Sequence, residues 1–288
     1  MVRSILSAIS EGLLDTLKVI PFLLITFLAM EWLEHHTQEK TIALVRRSDR
    51  FGPMLGGLLG IIPQCGFSAS AASLFAGRVI TAGTMIAVFL STSDEMLPIL
   101  ISRHVPWGTI SSILLTKAVI GVIFGFLVDF LFRQFNMRRI GSGITDICKR
   151  DGCSCEKEGL LLSALKHTAE ISAFLALVTI LMNLLIRAAG EEAIAHLFLN
   201  RPLIGELIAG LIGLIPNCAA SVLITTLYME GGMSAGAMIA GLLTGAGVGL
   251  LVLFRNHRRK KENIQLVMIL YVCGVLGGFV INLLGIRY

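Results

Sequence analysis

Charged residues are scarce in this chain. They make up 15% of its 288 residues, whereas about 25% of the residues in an average soluble domain are charged. A water-soluble protein of this length would need a charged exterior, and this sequence cannot supply one. Together with a mean hydropathy of +0.82, this scarcity excludes a soluble enzyme, a collagen, a disulfide scaffold and a disordered chain. It predicts an all-α polytopic protein in a lipid bilayer.

Signatures of nucleotide and nucleic-acid binding are also missing. No Walker motif is present, and the net charge of +5 is not gathered on one basic soluble face. Fifteen of the 24 Lys and Arg residues fall in the polar segments 37–52, 133–159 and 255–263. Because basic loops stay in the cytoplasm, we expect all three segments there, the protein in the cell (inner) membrane, and no nucleic-acid partner.

Eight stretches are apolar enough to enter the membrane. Six of them are long enough to cross about 30 Å of hydrocarbon: 12–34, 79–102, 109–132, 160–187, 233–254 and 264–286. The other two, 53–77 and 203–229, are interrupted by Pro63 and Pro216, and proline disrupts a helix. Backbone groups freed at membrane depth are tolerated only against protein or a water-filled cavity, so both broken segments are expected to line one.

The two broken segments belong to an internal repeat. A shift of 153 residues aligns 56–87 with 209–240 without a gap, and 13 of these 32 positions are identical. Fixed-period self-similarity of this kind indicates a duplicated structural unit. Lys18 and Lys166 occupy matching places in a weaker echo at the start of each half.

The loop charges then predict the topology. If each broken segment enters and returns as a re-entrant hairpin, every basic segment becomes cytoplasmic and each half has three full spans. An odd number of crossings makes the two halves inverted relative to each other. We therefore expect a first membrane repeat over 1–132, a cytoplasmic basic, cysteine-containing linker over 133–159, and a second, inverted repeat over 160–288, with both termini external.

Inverted repeats with paired broken segments are typical of secondary transporters, which bind substrate near the midplane. The alternative is that the two prolines kink helices within a packed bundle. Transport would proceed by alternating access, with one half rocking against the other around the two hairpins.

The chain resembles the bacterial ten-span heavy-metal, arsenic or manganese efflux permease family. The resemblance rests on Pro63-Gln64-Cys65, Pro216-Asn217-Cys218, the DTLK opening at 15–18 and the STSDEMLP stretch at 91–98, and it covers about 10–286. It implies an efflux permease, and it would count each hairpin as two short spans.

Candidate substrate-binding residues lie at the two hairpin tips: Gln64, Cys65, Ser68, Asn217, Cys218 and Ser221. Amide and hydroxyl oxygens can replace a hydration shell, and thiolates favour zinc, copper(I) or a trivalent metalloid. Half-helix N-termini instead favour an anion. The sequence leaves these interpretations open, and the cysteines also suit simple packing.

A polar run inside span 79–102 adds a second candidate site, formed by Ser91, Thr92, Ser93, Asp94 and Glu95. Its counterpart in the other half begins at Thr244, which is a further candidate for substrate binding, and contains no acid. Charges within spans usually line a pathway, and carboxylates suit a hard divalent ion such as manganese. We expect an asymmetric site in which Asp94 and Glu95 bind a cation or relay protons, and Glu95 is also a candidate for coupling or gating. The alternative is an acidic pair that reaches water from a helix end.

Several other ionisable residues are candidates for coupling, gating or ion capture, and the sequence supports them less strongly. Lys18, Lys166, His167 and Glu170 are candidates for coupling or gating, although lysines near helix ends also snorkel to the interface. The linker thiols Cys148, Cys153 and Cys155 could capture a soft ion, but they do not form a four-ligand zinc motif. A reduced, flexible connector is the alternative.

The function predicted from the sequence is secondary active export of a metal or metalloid ion, with no cofactor, no enzymatic activity and protons as a candidate coupling ion. A transporter of phosphate- or arsenate-type oxyanions is the first alternative. An intramembrane lipid-handling enzyme is the second, and it has little support because the spans carry few candidate catalytic groups. A homo-oligomer is left open.

Overall fold

The computed structural model describes residues 51–62, 65–77, 79–92, 96–134, 204–216, 218–257, 259–286 and 288, with single residues and short runs inside 10–28 and 165–180. For Cys65, Cys218 and Ala219 it describes the backbone only. All described residues within 10–28 and 165–180 are helical, as expected for the predicted spans 12–34 and 160–187. The rest of those two spans lies outside the described residues.

The described chain is otherwise helical, without strands. Its ten bounded helices are α1 Gly52–Leu59, α2 Cys65–Ala76, α3 Ala82–Ser91, α4 Met96–Ser102, α5 Trp107–Gln134, α6 Ile204–Gly213, α7 Cys218–Met229, α8 Ala235–Thr244, α9 Val248–Asn256 and α10 Lys260–Leu283.

Four candidate membrane spans are present among the described residues. They are Ala82–Ser102, which contains α3 and α4, Trp107–Gln134, Ala235–Asn256, which contains α8 and α9, and Lys260–Leu283. These confirm the predicted spans 79–102, 109–132, 233–254 and 264–286. The first and third are 73% and 78% buried, whereas α5 and α10 are each 39% buried. The paired helices therefore form the core, and α5 and α10 present apolar side chains outward to lipid.

Two of these spans contain a break that the sequence did not predict. The first span breaks between Ser91 and Met96, and the third between Thr244 and Val248. In the second break Gly247 adopts φ +51°, a left-handed conformation that glycine reaches without steric cost. The segments 53–77 and 203–229 break as predicted, into α1 and α2 and into α6 and α7.

The helices recur at the offset of 153 residues. Helices α2 and α7 both have 12 residues and begin at Cys65 and Cys218, and α3 and α8 both have 10. The N-caps Thr81 and Ser234 each accept a 3.1 Å hydrogen bond from the amide three residues later, which satisfies a helix-end donor. The two halves thus share local structure as well as sequence.

Glycine allows the same close helix contact in each half. A Cβ on Gly125 of α5 would lie 2.8 Å from the carbonyl oxygen of Gly83, and one on Gly278 of α10 would meet the carbonyl oxygen of Gly236. These positions correspond at the 153-residue offset. Small residues at such contacts let membrane helices approach closely.

Contacts along the helices give their relative directions. Gly52 and Gly60, at the two ends of α1, pack against Thr84 and Ser91 of α3, so α1 and α3 run parallel. In the second half Gly205 packs against Ala237, and Gly213 packs against Thr244, so α6 and α8 are also parallel.

Helix α2 of the first half packs along α9 of the second. Ser68 contacts Gly249 near the start of both helices, and Ser73 accepts a 3.1 Å hydrogen bond from the Asn256 amide near their ends. The two helices therefore run parallel, and they connect the two halves of the core.

Candidate functional site

The breaks in the helices meet in the interior. Gly60, where α1 ends, lies against Ser91, where α3 ends, and Gly213 lies in the same way against Thr244. A Cβ on Gly249, at the start of α9, would be 2.8 Å from Ser68 Cβ and 2.9 Å from Phe89 Cε1. We call this region the central breaks, and its described residues are 60–62, 65–68, 89–92, 96, 213–216, 218–221 and 244–249.

Ser68 and Ser221 approach the α8–α9 break from opposite halves. Ser68 is fully buried against Gly249, which follows the break. Ser221 is half-buried on α7, and its Oγ lies 3.7 Å from the position of a Cβ on Gly245, which precedes the break. These two predicted site residues, which correspond at the 153-residue offset, are thus brought to the same short segment.

Three predicted hydroxyl groups bind the ends of helices. Ser91 Oγ donates to the carbonyl oxygen of Ala87 at 2.7 Å, and Thr92 Oγ1 donates to that of Val88 at 2.6 Å. Thr244 Oγ1 donates to the carbonyl oxygen of Gly210 on α6 at 2.9 Å. The Val88 and Gly210 carbonyls also accept main-chain hydrogen bonds from Thr92 and Leu214, so the hydroxyl hydrogens reinforce the ends of these helices and serve the fold. What these groups could offer an ion is an oxygen lone pair.

A buried lysine lies beside the α3–α4 break. Lys117 of α5 is 1% exposed, and its ammonium group donates a hydrogen bond to the carbonyl oxygen of Thr92. Thr92 precedes the predicted acidic residues Asp94 and Glu95 in the chain, and these two residues lie outside the described residues.

The remaining candidates at the breaks fall at the edge of the described residues. The backbone of Cys65 and of Cys218 is described, and each begins a helix, α2 and α7, at a central break. The other predicted site residues here lie outside the described residues: Gln64, Ser93, Asp94, Glu95 and Asn217.

Of the remaining candidates for coupling and for a linker metal site, the structure describes Glu170 and Lys166. Glu170 lies 3.8 Å from Arg255, at the end of α9, and both side chains are partly exposed. Lys166 is helical and half-buried. The other candidates of this kind lie outside the described residues: Lys18, His167, Cys148, Cys153 and Cys155.

Sequence reasoning missed two buried carboxylates. Asp129 of α5 accepts hydrogen bonds from the Gly83 amide at 2.8 Å and from the Thr81 hydroxyl at 2.7 Å, at the N-terminus of α3. Glu206 of α6 is 1% exposed and accepts from the Asn282 amide at 3.0 Å. Both lie at helix ends far from the central breaks. A single acid within an apolar span was the available signal.

Comparison with known families identifies the chain. The family model described as "Putative, 10TM heavy-metal exporter" matches residues 3–167 and 156–287. The chain belongs to this family. No curated protein and no solved structure matches it.

Membership in the heavy-metal exporter family makes the protein a membrane transporter and confirms the resemblance found in its sequence. Within the described residues, no group of three His, Cys, Asp or Glu side chains lies close enough to hold a metal ion. The predicted ligands Cys65, Cys218, Asp94 and Glu95 are outside that search or described by backbone alone.

Proposed function

We propose that this protein is a secondary active exporter of a metal or metalloid ion, which binds at the central breaks and crosses by alternating access between two inverted halves. The observation that carries the proposal is the meeting of interrupted helices from both halves at Ser68 and Gly249. Interrupted helices at membrane depth are the usual ion and substrate sites of secondary transporters.

The packing of α1 on α3 supports the re-entrant hairpin. The two helices run parallel, with Gly60 beside Ser91 at one end and Gly52 beside Thr84 at the other. The chain must therefore return between residues 60 and 82 to begin α3, and α2 is the helix available to carry it back. The equivalent contacts of α6 with α8 support the same path for α7.

Two further contacts support inversion. Helix α2 returns opposite to α3 and runs parallel to α9, which continues the span begun by α8. The spans α3–α4 and α8–α9 then run in opposite directions. In addition, Ile120 and Thr116 of α5 contact Gly277 and Tyr288 respectively. Earlier residues of α5 thus contact later residues of α10 and its C-terminal extension, as expected for two antiparallel helices.

The chemistry at the breaks favours a cation. The hydroxyl hydrogens of Thr92 and Thr244 are donated to carbonyls, which leaves their oxygen lone pairs for a bound ion. Asp94 and Glu95 carry two negative charges against the one positive charge of Lys117. Carboxylates would bind a hard divalent ion, and Cys65 with Cys218 would bind a soft ion or metalloid.

One observation favours an oxyanion as the alternative cargo. The buried ammonium of Lys117 lies at the breaks, where α2 and α7 also begin, and helix N-termini attract anions. In that case Asp94 and Glu95 would have to be protonated or turned away from the substrate.

The remaining roles follow from this mechanism. Glu95, Lys18, Lys166, His167 and Glu170 would couple or gate the movement, with protons as the counter-ion. Cys148, Cys153 and Cys155 of the cytoplasmic linker would deliver a soft ion to the pore from the cytoplasmic side of the inner membrane.

Ion flux in proteoliposomes tests the proposal. Purified protein is reconstituted and its transport of Mn(II), Zn(II), Cd(II), arsenite, arsenate and phosphate is measured with and without a pH gradient. We expect flux of at least one metal or metalloid above that of protein-free liposomes, and a dependence on the gradient. Flux of phosphate or arsenate alone would establish the oxyanion alternative instead.

A further inference from the structure

A buried polar cluster lies where α9 turns into α10, away from the central breaks. We call it the corner cluster, and it consists of Ser73, Asn256, His257, Glu262 and Asn263. All but Glu262 are at most 2% exposed. Ser73 comes from α2 of the first half, whereas the other four come from the second half, so the cluster joins the two.

The cluster fixes the orientation of the His257 ring. The Asn263 amide nitrogen donates to the His257 carbonyl oxygen at 2.9 Å, so its amide oxygen is the atom that faces His257 Nδ1, at 2.5 Å. An amide oxygen only accepts hydrogen bonds. Nδ1 therefore carries a hydrogen, and the state of the ring depends on Nε2 alone.

His257 Nε2 faces a carboxylate. It lies 3.4 Å from Glu262 Oε2, and both atoms are buried without a hydrogen-bond partner. In a neutral ring with hydrogen on Nδ1, Nε2 is an acceptor, so two acceptor atoms would oppose each other in the interior. One proton between them removes this conflict, because it turns the contact into a donor–acceptor pair of opposite charges.

The surrounding backbone also favours the charged forms. His257 is the C-cap of α9, and Glu262 lies in the first turn of α10. A cation at a helix C-terminus and an anion at a helix N-terminus are both stabilised by the helix dipole. The α9–α10 turn thus accommodates an imidazolium and a carboxylate side by side.

The other charged groups near the pair are largely matched. Arg259 donates to Glu262 Oε1 at 2.6 Å, a hydrogen bond that raises the pKa of the Arg259 guanidinium and leaves Oε2 for His257. Arg255 lies 3.8 Å from Glu170 and over the ring of Phe174. Lys260 and Lys261 are exposed to solvent.

Helix α2 presents uncharged groups to the pair. Phe75 packs its ring 5.7 Å from the His257 ring, and Ser73 accepts from Asn256 at 3.1 Å. Among the described residues of α2, none that faces His257 is titratable, so Glu262 is the carboxylate on which its protonation depends.

We propose that His257 and Glu262 together bind one proton, and that this proton fastens α2 of the first half to the α9–α10 turn of the second. The binding is a property of the folded chain alone, while its role in transport rests on the proposed function. When the route on this side opens, α2 separates from α9, the cluster is disrupted and the proton is released. The corner cluster is thereby a coupling site distinct from the ion site.

Thermal unfolding of the purified full-length chain in detergent, without any transported ion, tests the proton site. Unfolding temperatures are measured from pH 5.5 to pH 8.5 for the wild type, His257→Asn and Glu262→Gln. His104→Asn is the matched control, because His104 is an exposed histidine at φ +56°, a conformation that asparagine tolerates. Histidine is the side chain that ordinarily changes charge in this range.

The proposed proton joins the two side chains only in the folded chain, so the stabilisation that it gives is present at low pH and lost as pH rises. Between pH 5.5 and 8.5, we expect the unfolding temperatures of the wild type and of His104→Asn to fall by several degrees relative to that of His257→Asn. Glu262→Gln should lose fewer degrees than the wild type over the same range, since its histidine remains but the carboxylate that shares the proton does not.

Parallel pH curves for the wild type and for both cluster variants would overturn the proposal. A second result would also overturn it: Zn(II) raises the unfolding temperature of the wild type but not of His257→Asn, and pH has no effect on either protein. The pair would then be a metal site. If His257→Asn does not fold, Glu262→Gln decides alone. Failure of metal flux in proteoliposomes would leave these results unchanged, and it would count against the transport proposal only.

Discussion

The ammonium group of Lys117 on α5 donates a hydrogen bond to the main-chain carbonyl oxygen of Thr92, the residue that caps the C-terminus of α3. A cation is favoured at a helix C-terminus, which helps to stabilise a charge that is almost fully buried. The same charge opposes the entry of a second cation at the central breaks. Lys117 should therefore control how tightly the breaks hold an ion.

Replacing Lys117 with methionine removes the charge and keeps much of the length of the side chain. We expect Lys117→Met to lower the ion concentration for half-maximal export about tenfold, because one like charge near the site costs about 1–2 kcal/mol. The maximal rate should fall, since a tightly held ion leaves slowly. Lys260→Met, at an exposed position, is the matched control. A higher half-saturating concentration would instead assign Lys117 to an anionic substrate.

Asp129 is expected to stabilise the fold rather than to bind the transported ion. Its carboxylate accepts from the Gly83 amide and the Thr81 hydroxyl, and hydrogen bonds to charged groups contribute about 1.5–3 kcal/mol each. Asp129→Ala should lower the unfolding temperature in detergent by several degrees, and Asp129→Asn by less. Glu230→Ala, in an exposed turn, serves as the control. An Asp129→Ala protein of normal stability that has lost flux would show a direct role in transport.

Close packing of α5 on α3 depends on Gly125. A Cβ there would lie 2.8 Å from both the Gly83 carbonyl oxygen and Ala87 Cβ, whereas a Cβ on Gly108 of the same helix would meet nothing within 4 Å. We expect Gly125→Ala to destabilise the protein by about 1–3 kcal/mol, as overpacking does, and Gly108→Ala to have little effect. Unfolding temperatures of the two variants provide the comparison. Equal temperatures would mean that the two helices do not pack as described.

Cysteine labelling at equivalent positions tests the inverted topology. Gly108 and Lys261 are both exposed and are related by the offset of 153 residues. Gly108→Cys should react with a membrane-impermeant maleimide on intact cells, and Lys261→Cys only in inside-out vesicles. Mass spectrometry of the labelled peptides separates these sites from the six native cysteines. Reaction of both positions from the same side would rule out inversion.

Much of the fold could be predicted because its signals are local. Proline at 63 and 216 predicted two of the breaks, and the 153-residue repeat predicted that both halves share them. The breaks that follow Ser91 and Thr244 were missed for a physical reason. Their flanking helices are so apolar that span-length hydropathy runs across the interruption, and Gly245-Ala246-Gly247 is itself apolar enough to continue a span.

The site was less predictable because its contacts join distant parts of the chain. Ser68 and Ser221 could be selected as candidates from the repeat, but their common approach to the α8–α9 break depends on tertiary packing. Likewise Asp129 caps a helix that begins 47 residues earlier in the chain, and no local pattern links them. The polar residues of the α9–α10 turn read from sequence as part of a basic loop, and only the fold buries His257.

Export from proteoliposomes by variants of the site tests directly whether a metal or metalloid ion binds at the central breaks. Efflux of Mn(II) and of arsenite is measured for the wild type, for Asp94→Asn and for the double variant Cys65→Ala with Cys218→Ala, each checked for unchanged unfolding temperature. If the cargo is a hard ion, Asp94→Asn should lower its export rate at least about tenfold. If it is a soft ion, the double cysteine variant should do so. The reason is that a lost ligand costs more than about 1.4 kcal/mol. Export of every metal and metalloid at the wild-type rate by both variants would contradict an ion site at the central breaks.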